Sequence, residues 1–188
     1  TKYFGIYKDI EVKTKEDIYK IVIASTELTK TKTGGLIVVE RDINISDIIE
    51  SGVKIDSDVS PQLIVNLFTP NTPLHDGAVI ISNNKIAAAA CILPLADDKE
   101  IAKEIGTRHR AGIGISKESD AIAIIVSEET GKISVAIDGN LIADVKEEAL
   151  KNILIKYMIN KRFAVERNRR VKKLKIKKEN KQKQNEEH

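Results

Sequence analysis

Thr69-Pro70-Asn71-Thr72-Pro73-Leu74-His75-Asp76-Gly77-Ala78-Val79-Ile80-Ile81-Ser82-Asn83-Asn84-Lys85 decides how this chain is read. Two prolines within four residues make a rigid, non-helical connector. The connector delivers His75-Asp76-Gly77 to the start of a short apolar run, Ala78-Val79-Ile80-Ile81, of the kind that forms a buried strand. Asn83-Asn84 has tight-turn chemistry, so Lys85 to Leu93 should return as a second strand, stopped by Pro94.

Helical patterns lie on both sides of this hairpin. Upstream, Thr14 is placed to cap a helix with Asp17 three residues on, and Ile18, Ile21, Val22, Ser25 and Leu28 recur on one face. Gly34-Gly35 should end that helix and open a strand at Leu36-Ile37-Val38-Val39. Ser46 is expected to cap a short helix ending near Gly52. Ser60-Pro61 starts another, with Leu63, Ile64 and Leu67 on its apolar face. Downstream, Asp97 to Ile105 reads as a helix closed by Gly106, and Thr107 caps the next. Strands at Ile122–Val126 and Lys132–Ile137 flank the turn Glu128-Glu129-Thr130-Gly131. Asp138-Gly139 turns the chain into a last helix from about Asp144 to Tyr157. This alternation argues for an α/β domain.

The 188 residues suffice for one well-buried domain, and at 4% aromatic content with no Trp the core must be aliphatic. The charge balance reads as soluble and globular, without a membrane span or signal peptide. The single Cys91 sits in an apolar run and is expected to be buried in a reducing compartment, and three histidines with one cysteine exclude the usual zinc-finger spacings. Residues 161–188 hold twelve bases against four acids, so the remainder is mildly acidic and the basic character belongs to the tail. Residues 1–160 are therefore read as the domain and 161–188 as a flexible, solvated tail. The chain starts at Thr1, which suggests a trimmed segment ahead of it.

Three groups of residues carry chemistry. Asp76-Gly77 pairs a carboxylate with a residue that lets a ligand approach the backbone, although alone it is an ordinary turn signal. Thr107-Arg108-His109-Arg110 places two guanidiniums and an imidazole at a helix start, where free N–H groups attract anions. A solvated basic helix end is the plainer reading, but apolar residues on both sides argue against it. Ser127-Glu128-Glu129 ends a buried strand and can hold a divalent ion or orient arginines, or be a simple acidic turn. There is no P-loop, no G-x-G-x-x-G and no G-x-S-x-G elbow; Gly112-x-Gly114 falls within a helix and is weak as a nucleotide signal.

Together these residues resemble the diadenylate cyclase domain family. Its Asp-Gly-Ala and Arg-His-Arg signatures stand here as Asp76-Gly77-Ala78 and Arg108-His109-Arg110. The likeness extends through Pro70–His75, Gly106-Thr107, Gly114-Ile115-Ser116, Ile124–Gly131 and Gly35–Arg41, and is nearest the membrane-anchored type. The resemblance implies a central mixed β-sheet flanked by helices, and condensation of two ATP into cyclic di-AMP. It implies that Asp76 helps bind a divalent ion (Mg²⁺, Mn²⁺ or Co²⁺) and activates the ribose 3′-hydroxyl, with His75 and Glu128 near that ion. Gly77 and Ala78 would line the nucleotide. Gly106, Thr107, Arg108, His109 and Arg110 would hold the triphosphate, and Ser127, Glu128 and Glu129 would contact phosphate or metal. Leu93 would recognise adenine through its backbone. Relatives often carry Tyr just before that Leu, stacked on the base; here the residue is Ile92.

The resemblance further implies a catalytic homodimer with room for higher oligomers, a membrane-bound regulator and phosphoglucosamine mutase as partners, and a parent protein anchored at the cytoplasmic side of the bacterial membrane. Nucleic acid is not expected on the core. A nucleotide- or nucleic-acid-binding module without cyclase activity is the competing reading.

Overall fold

The computed structural model describes residues 2–96 and 105–160, the side chains of residues 2–4 and 7 excepted. The expected helix at 97–105 and the basic tail at 161–188 lie outside the described residues, apart from Ile105. In chain order the elements are α1 (Lys2–Lys30), β1 (Gly35–Val39), α2 (Ser46–Glu50), β2 (Val53–Asp58), α3 (Pro61–Leu67), β3 (Ala78–Ser82) and β4 (Lys85–Cys91). They continue with α4 (Thr107–Glu118), β5 (Ile122–Val126), β6 (Ile133–Ile137), β7 (Asn140–Ile142) and α5 (Glu147–Leu154), which runs into a π-helical turn, Ile155–Asn160.

One seven-stranded sheet runs β2-β4-β3-β1-β5-β6-β7. It is mixed: β1 lies parallel to β3, and the other pairs are antiparallel. The central strands are buried along their whole length. Successive side chains point to opposite faces, and both faces are covered. Ile37, Val39, Val79, Ile81, Ile122 and Ile124 pack on one side with α1, α3 and α5. Leu36, Val38, Ile80, Ala123 and Ile125 pack on the other with α4. Among the described residues no helix is long and apolar enough to cross a membrane.

Several local expectations hold. Ile18, Ile21, Ser25 and Leu28 are fully buried and Val22 nearly so. Ser60 accepts from the Leu63 N–H at 3.3 Å, with Pro61 first in the helix. Asn83 and Asn84 take φ of 50° and 61°, the left-handed turn that joins twisted strands. Cys91 is buried, and burial pushes its thiol up to about 11.

Others are corrected. Thr14 does not start a helix; α1 already runs from Lys2. Thr14 and Asp17 are buried polar residues instead, and both accept from the Asn84 side chain, at 3.3 and 2.8 Å. Lys13 completes the cluster with a 2.9 Å bond to Asp17. The cap signature arose because the apolar face begins at this point, where the helix first meets the sheet. Ser46 and Thr107 are first helical residues, one place past their caps Ile45 and Gly106; the Asn44 side chain takes the Ser46 N–H at 2.8 Å. The last helix begins at Glu147 rather than Asp144. Strands β2 and β7 are additions at the two sheet edges. β2 carries Lys54, Asp56 and Asp58, the charged pattern that blunts an edge strand and hides its periodicity.

Candidate nucleotide site at one end of the sheet

Strand direction gathers the chemistry. Ile37 lies beside Val79 in parallel register, so the starts of β1 and β3 share one end of the sheet. Gly35 opposes Val126 and Ala78 opposes Cys91, which brings the ends of β5 and β4 to the same place. His75-Asp76-Gly77-Ala78, Leu93 and Ser127-Glu128-Glu129 therefore converge, although they come from three separate segments. Doubly wound sheets place ligands at carboxyl ends alone; here amino ends of two strands meet carboxyl ends of two others.

The fourth segment is the start of α4. A Cβ built on Gly34 would stand 2.5 Å from Arg108 Nη1 and 2.6 Å from its Cζ, so the Arg108 guanidinium lies directly over Gly34. Arg108 Nη1 also donates to Glu128 Oε2 at 3.0 Å. This ion pair joins the Arg-His-Arg segment to the acidic turn after β5, in a partly solvated setting. Gly106 caps α4 with extended backbone, and among the described residues no side chain makes a cap hydrogen bond to its first turn, the kind of helix start that suits an anion. His109 is half-buried; desolvation, and then the Arg108 charge, hold its imidazole below the ordinary value, so it is neutral near pH 7.

Asp76 is placed by its neighbours. His75 Nδ1 lies 2.6 Å from the Thr72 carbonyl, and since a carbonyl only accepts, Nδ1 carries a hydrogen; in the neutral ring this tautomer leaves the lone pair on Nε2. Gly77 has φ of +119°, and a Cβ there would meet Ala90 C at 2.7 Å and Cys91 O at 2.8 Å. The register of β3 against β4 shifts between Ala78 and Ile80, and Ala90 itself takes a left-handed φ of 53°. The β4 bulge thus pushes backbone against Gly77 and fixes the peptide that carries Asp76. Among the described residues no three His, Cys, Asp or Glu side chains are grouped to hold an ion unaided.

Other expected residues stand as follows. Leu93 turns its side chain into the core at 8% exposure, while Ile92 is 72% exposed and donates its N–H to Ser51 Oγ at 3.0 Å. Ser127 Oγ accepts from the Thr130 N–H at 3.3 Å within the turn that Glu128 and Glu129 occupy. Arg110 differs from Arg108: its Nη2 donates to the Ala96 carbonyl at 3.4 Å. Sequence reasoning passed over Gly34, read only as a helix breaker, and Ser51. A doubled glycine can also mean close approach of another group, and that was the available signal.

Comparison with known proteins identifies the family of the chain. Residues 22–141 match the family model described as DisA bacterial checkpoint controller nucleotide-binding, DAC. The cyclic di-AMP synthase CdaA of Bacillus subtilis is 50% identical over 145 residues, covering 77% of this chain and 53% of that protein. A diadenylate cyclase of Listeria monocytogenes is 52% identical over 132 residues, covering 70% of this chain and 48% of its own length. The chain thus spans about half the length of the curated relatives it matches. The crystal structure of a double mutant of DacA from Staphylococcus aureus superposes with a TM-score of 0.75 at 46% identity, over 77% of this chain and 96% of that one.

Proposed function

Since the chain belongs to the DAC family, we propose that it is a diadenylate cyclase, joining two ATP into cyclic di-AMP with release of two pyrophosphates. The observation that supports this best is the meeting of Asp76-Gly77, the α4 start and Glu128 at one sheet end, with Arg108 bridging Gly34 and Glu128.

Each residue has a task. The α4 first turn, with Thr107, Arg108 and His109, takes the triphosphate; free N–H groups and a fixed guanidinium offset the roughly four negative charges of ATP. Neutral His109 offers a hydrogen bond without a second full charge beside Arg108. Gly77 and Ala78 let the nucleotide approach the β3 backbone. The base lies against the end of β4, at Ile92 and Leu93. Asp76 faces the reacting ribose and draws the proton from the 3′-hydroxyl as it attacks the α-phosphorus in line. Ser127 and Glu129 support the turn that holds Glu128.

His75 and Asp76 would hold a divalent ion between them; Glu128, which pairs with Arg108 and is not grouped with them, would add a donor only by leaving that pair. The His75 ring donates Nδ1–H to a backbone carbonyl and presents Nε2, the arrangement typical of a ligating histidine. So few protein donors suit a hard ion that takes its remaining oxygens from water and substrate. When bound, the ion would supply charge neutralisation at the phosphates.

Ring closure requires each 3′-hydroxyl to reach the other nucleotide's α-phosphate, so two protomers meet face to face, each with one ATP. We take residues 1–160 as the catalytic unit. Mass identification of the product after incubation with ATP and Mg²⁺, Mn²⁺ or Co²⁺ tests the activity. Asp76→Asn should keep the fold, seen by circular dichroism, and lose product formation by on the order of 10³-fold. Full activity in that variant refutes the role of Asp76.

A further inference from the structure

Arg108 and Arg110 are two residues apart on one helix, about 200° around its axis, so they leave it on opposite sides. Arg108 goes to Glu128 and Gly34. Arg110 goes to the strap Ile92–Ala96 that continues β4. Its Nη2 donates to the Ala96 carbonyl at 3.4 Å, and the Ala96 N–H donates back to the Arg110 carbonyl at 3.2 Å. One turn further along the same face is Gly114. A Cβ there would collide with the Pro94 carbonyl oxygen and stand 3.1 Å from Ala96 N. Gly112, on the far side of the helix, has the same need against the sheet: a Cβ there would be 2.8 Å from Ile125 Cδ1. The two glycines that look like a faint nucleotide motif in sequence are packing glycines, and α4 is pressed between the sheet and the strap.

The strap is tied at its other end as well, by the Ile92 N–H to Ser51 Oγ bond at 3.0 Å, and Ser51 Oγ in turn donates to the Ile48 carbonyl at 2.6 Å. Between these ties Ile92 and Leu95 are exposed and Leu93 and Ala96 are buried. Its geometry therefore depends on α4 from one side and α2 from the other.

We propose that Arg110 is a positioning residue that, with Gly114, pins the strap to α4, so that one helix takes the triphosphate at its first turn and fixes the base-binding strand end along its flank. The proposal rests on the cyclase reading and deepens it by separating the two arginines. Arg108 meets phosphate; Arg110 shapes the base end of the site without touching the triphosphate.

The test is calorimetric titration of the folded variants with ATP and, separately, adenosine. Arg110→Met and Gly114→Ala should weaken both ligands by the same factor, roughly tenfold, leaving the ratio of the two affinities unchanged. Arg108→Met should weaken ATP and leave adenosine alone. Arg110→Lys keeps a donor within reach of the Ala96 carbonyl and should restore most adenosine binding. The proposal is overturned if Arg110→Met loses ATP selectively, as Arg108→Met does, or if Arg110→Met and Gly114→Ala leave adenosine binding at the wild-type value. A wild-type protein that binds neither ATP nor adenosine overturns the cyclase reading itself, a different result from either.

Discussion

Gly34→Ala separates stability from activity at a position outside both signature motifs. The new methyl would lie 2.5 Å from Arg108 Nη1, 2.6 Å from Cζ and 3.0 Å from Nη2. Normal contact is about 3.5 Å, so the guanidinium must withdraw by roughly 1 Å. It is the far end of a flexible side chain, so the fold yields cheaply. The Arg108–Glu128 pair, 25% and 65% exposed, is worth at most a few tenths of a kcal/mol after screening. Replacing glycine restricts the unfolded chain and returns about 0.4–1 kcal/mol. The two effects nearly cancel, and the melting temperature should stay within about 3 °C. Catalysis is less forgiving: a misplacement of about 1 Å in a group that positions the reacting phosphate costs on the order of 10²-fold, about 2.7 kcal/mol of barrier. The assay is the initial rate of cyclic di-AMP formation at saturating ATP, beside thermal melting of the same sample. Wild-type turnover would refute the placement of Arg108 over Gly34 as functionally tuned. A fall in melting temperature beyond about 10 °C would instead make Gly34 a packing residue.

Ile92→Tyr should lower the KM for ATP by roughly fivefold at unchanged kcat, because this exposed side chain at the end of β4 would offer a ring for stacking; steady-state kinetics check it. His109 titrates below the ordinary imidazole value when folded, so below about pH 6.5 the unfolded chain binds a proton that the folded chain refuses. Stability should therefore fall as pH drops through that window and level off below the folded value, and urea unfolding of His109→Gln at pH 7.5 and 5.5 should show a smaller difference than wild type. Asn84→Gly keeps the left-handed turn but removes the donor to buried Asp17 and Thr14; it should cost about 1–3 kcal/mol by urea unfolding at pH 7 and leave the KM for ATP unchanged.

The central sheet was legible because its strands are buried on both faces and read as unbroken apolar runs: Ile122–Val126 was bounded to the residue. The hairpin at Asn83-Asn84 was legible because its turn chemistry is local. Edge strands were not, since β2 alternates weakly among charges and β7 has only three residues. The cap at Thr14 failed because a local signature cannot report that a helix is already under way. At the site, the residue types were readable from two motifs and an acidic turn, while their meeting depended on strand direction. The separate destinations of Arg108 and Arg110 required the path of the strap, which no pattern in the Arg-His-Arg segment encodes.

Helix α1 has a consequence of another kind. It is 29 residues long, about 43 Å, but its first fully packed residue is Thr14; from Gly5 to Val12 no described side chain is buried, and a Cβ on Gly5 would touch none of the described residues. A free segment of that length would barely hold a helix, but here the packed half acts as the nucleus and the outer half only propagates. The exposed part is therefore a stiff axle with an angular scale: each residue inserted between Gly5 and Val12 would turn the start of the helix relative to the domain by about 100° and advance it by about 1.5 Å. Azimuth and distance of the nucleotide site could be dialled in this way without altering one contact in the domain.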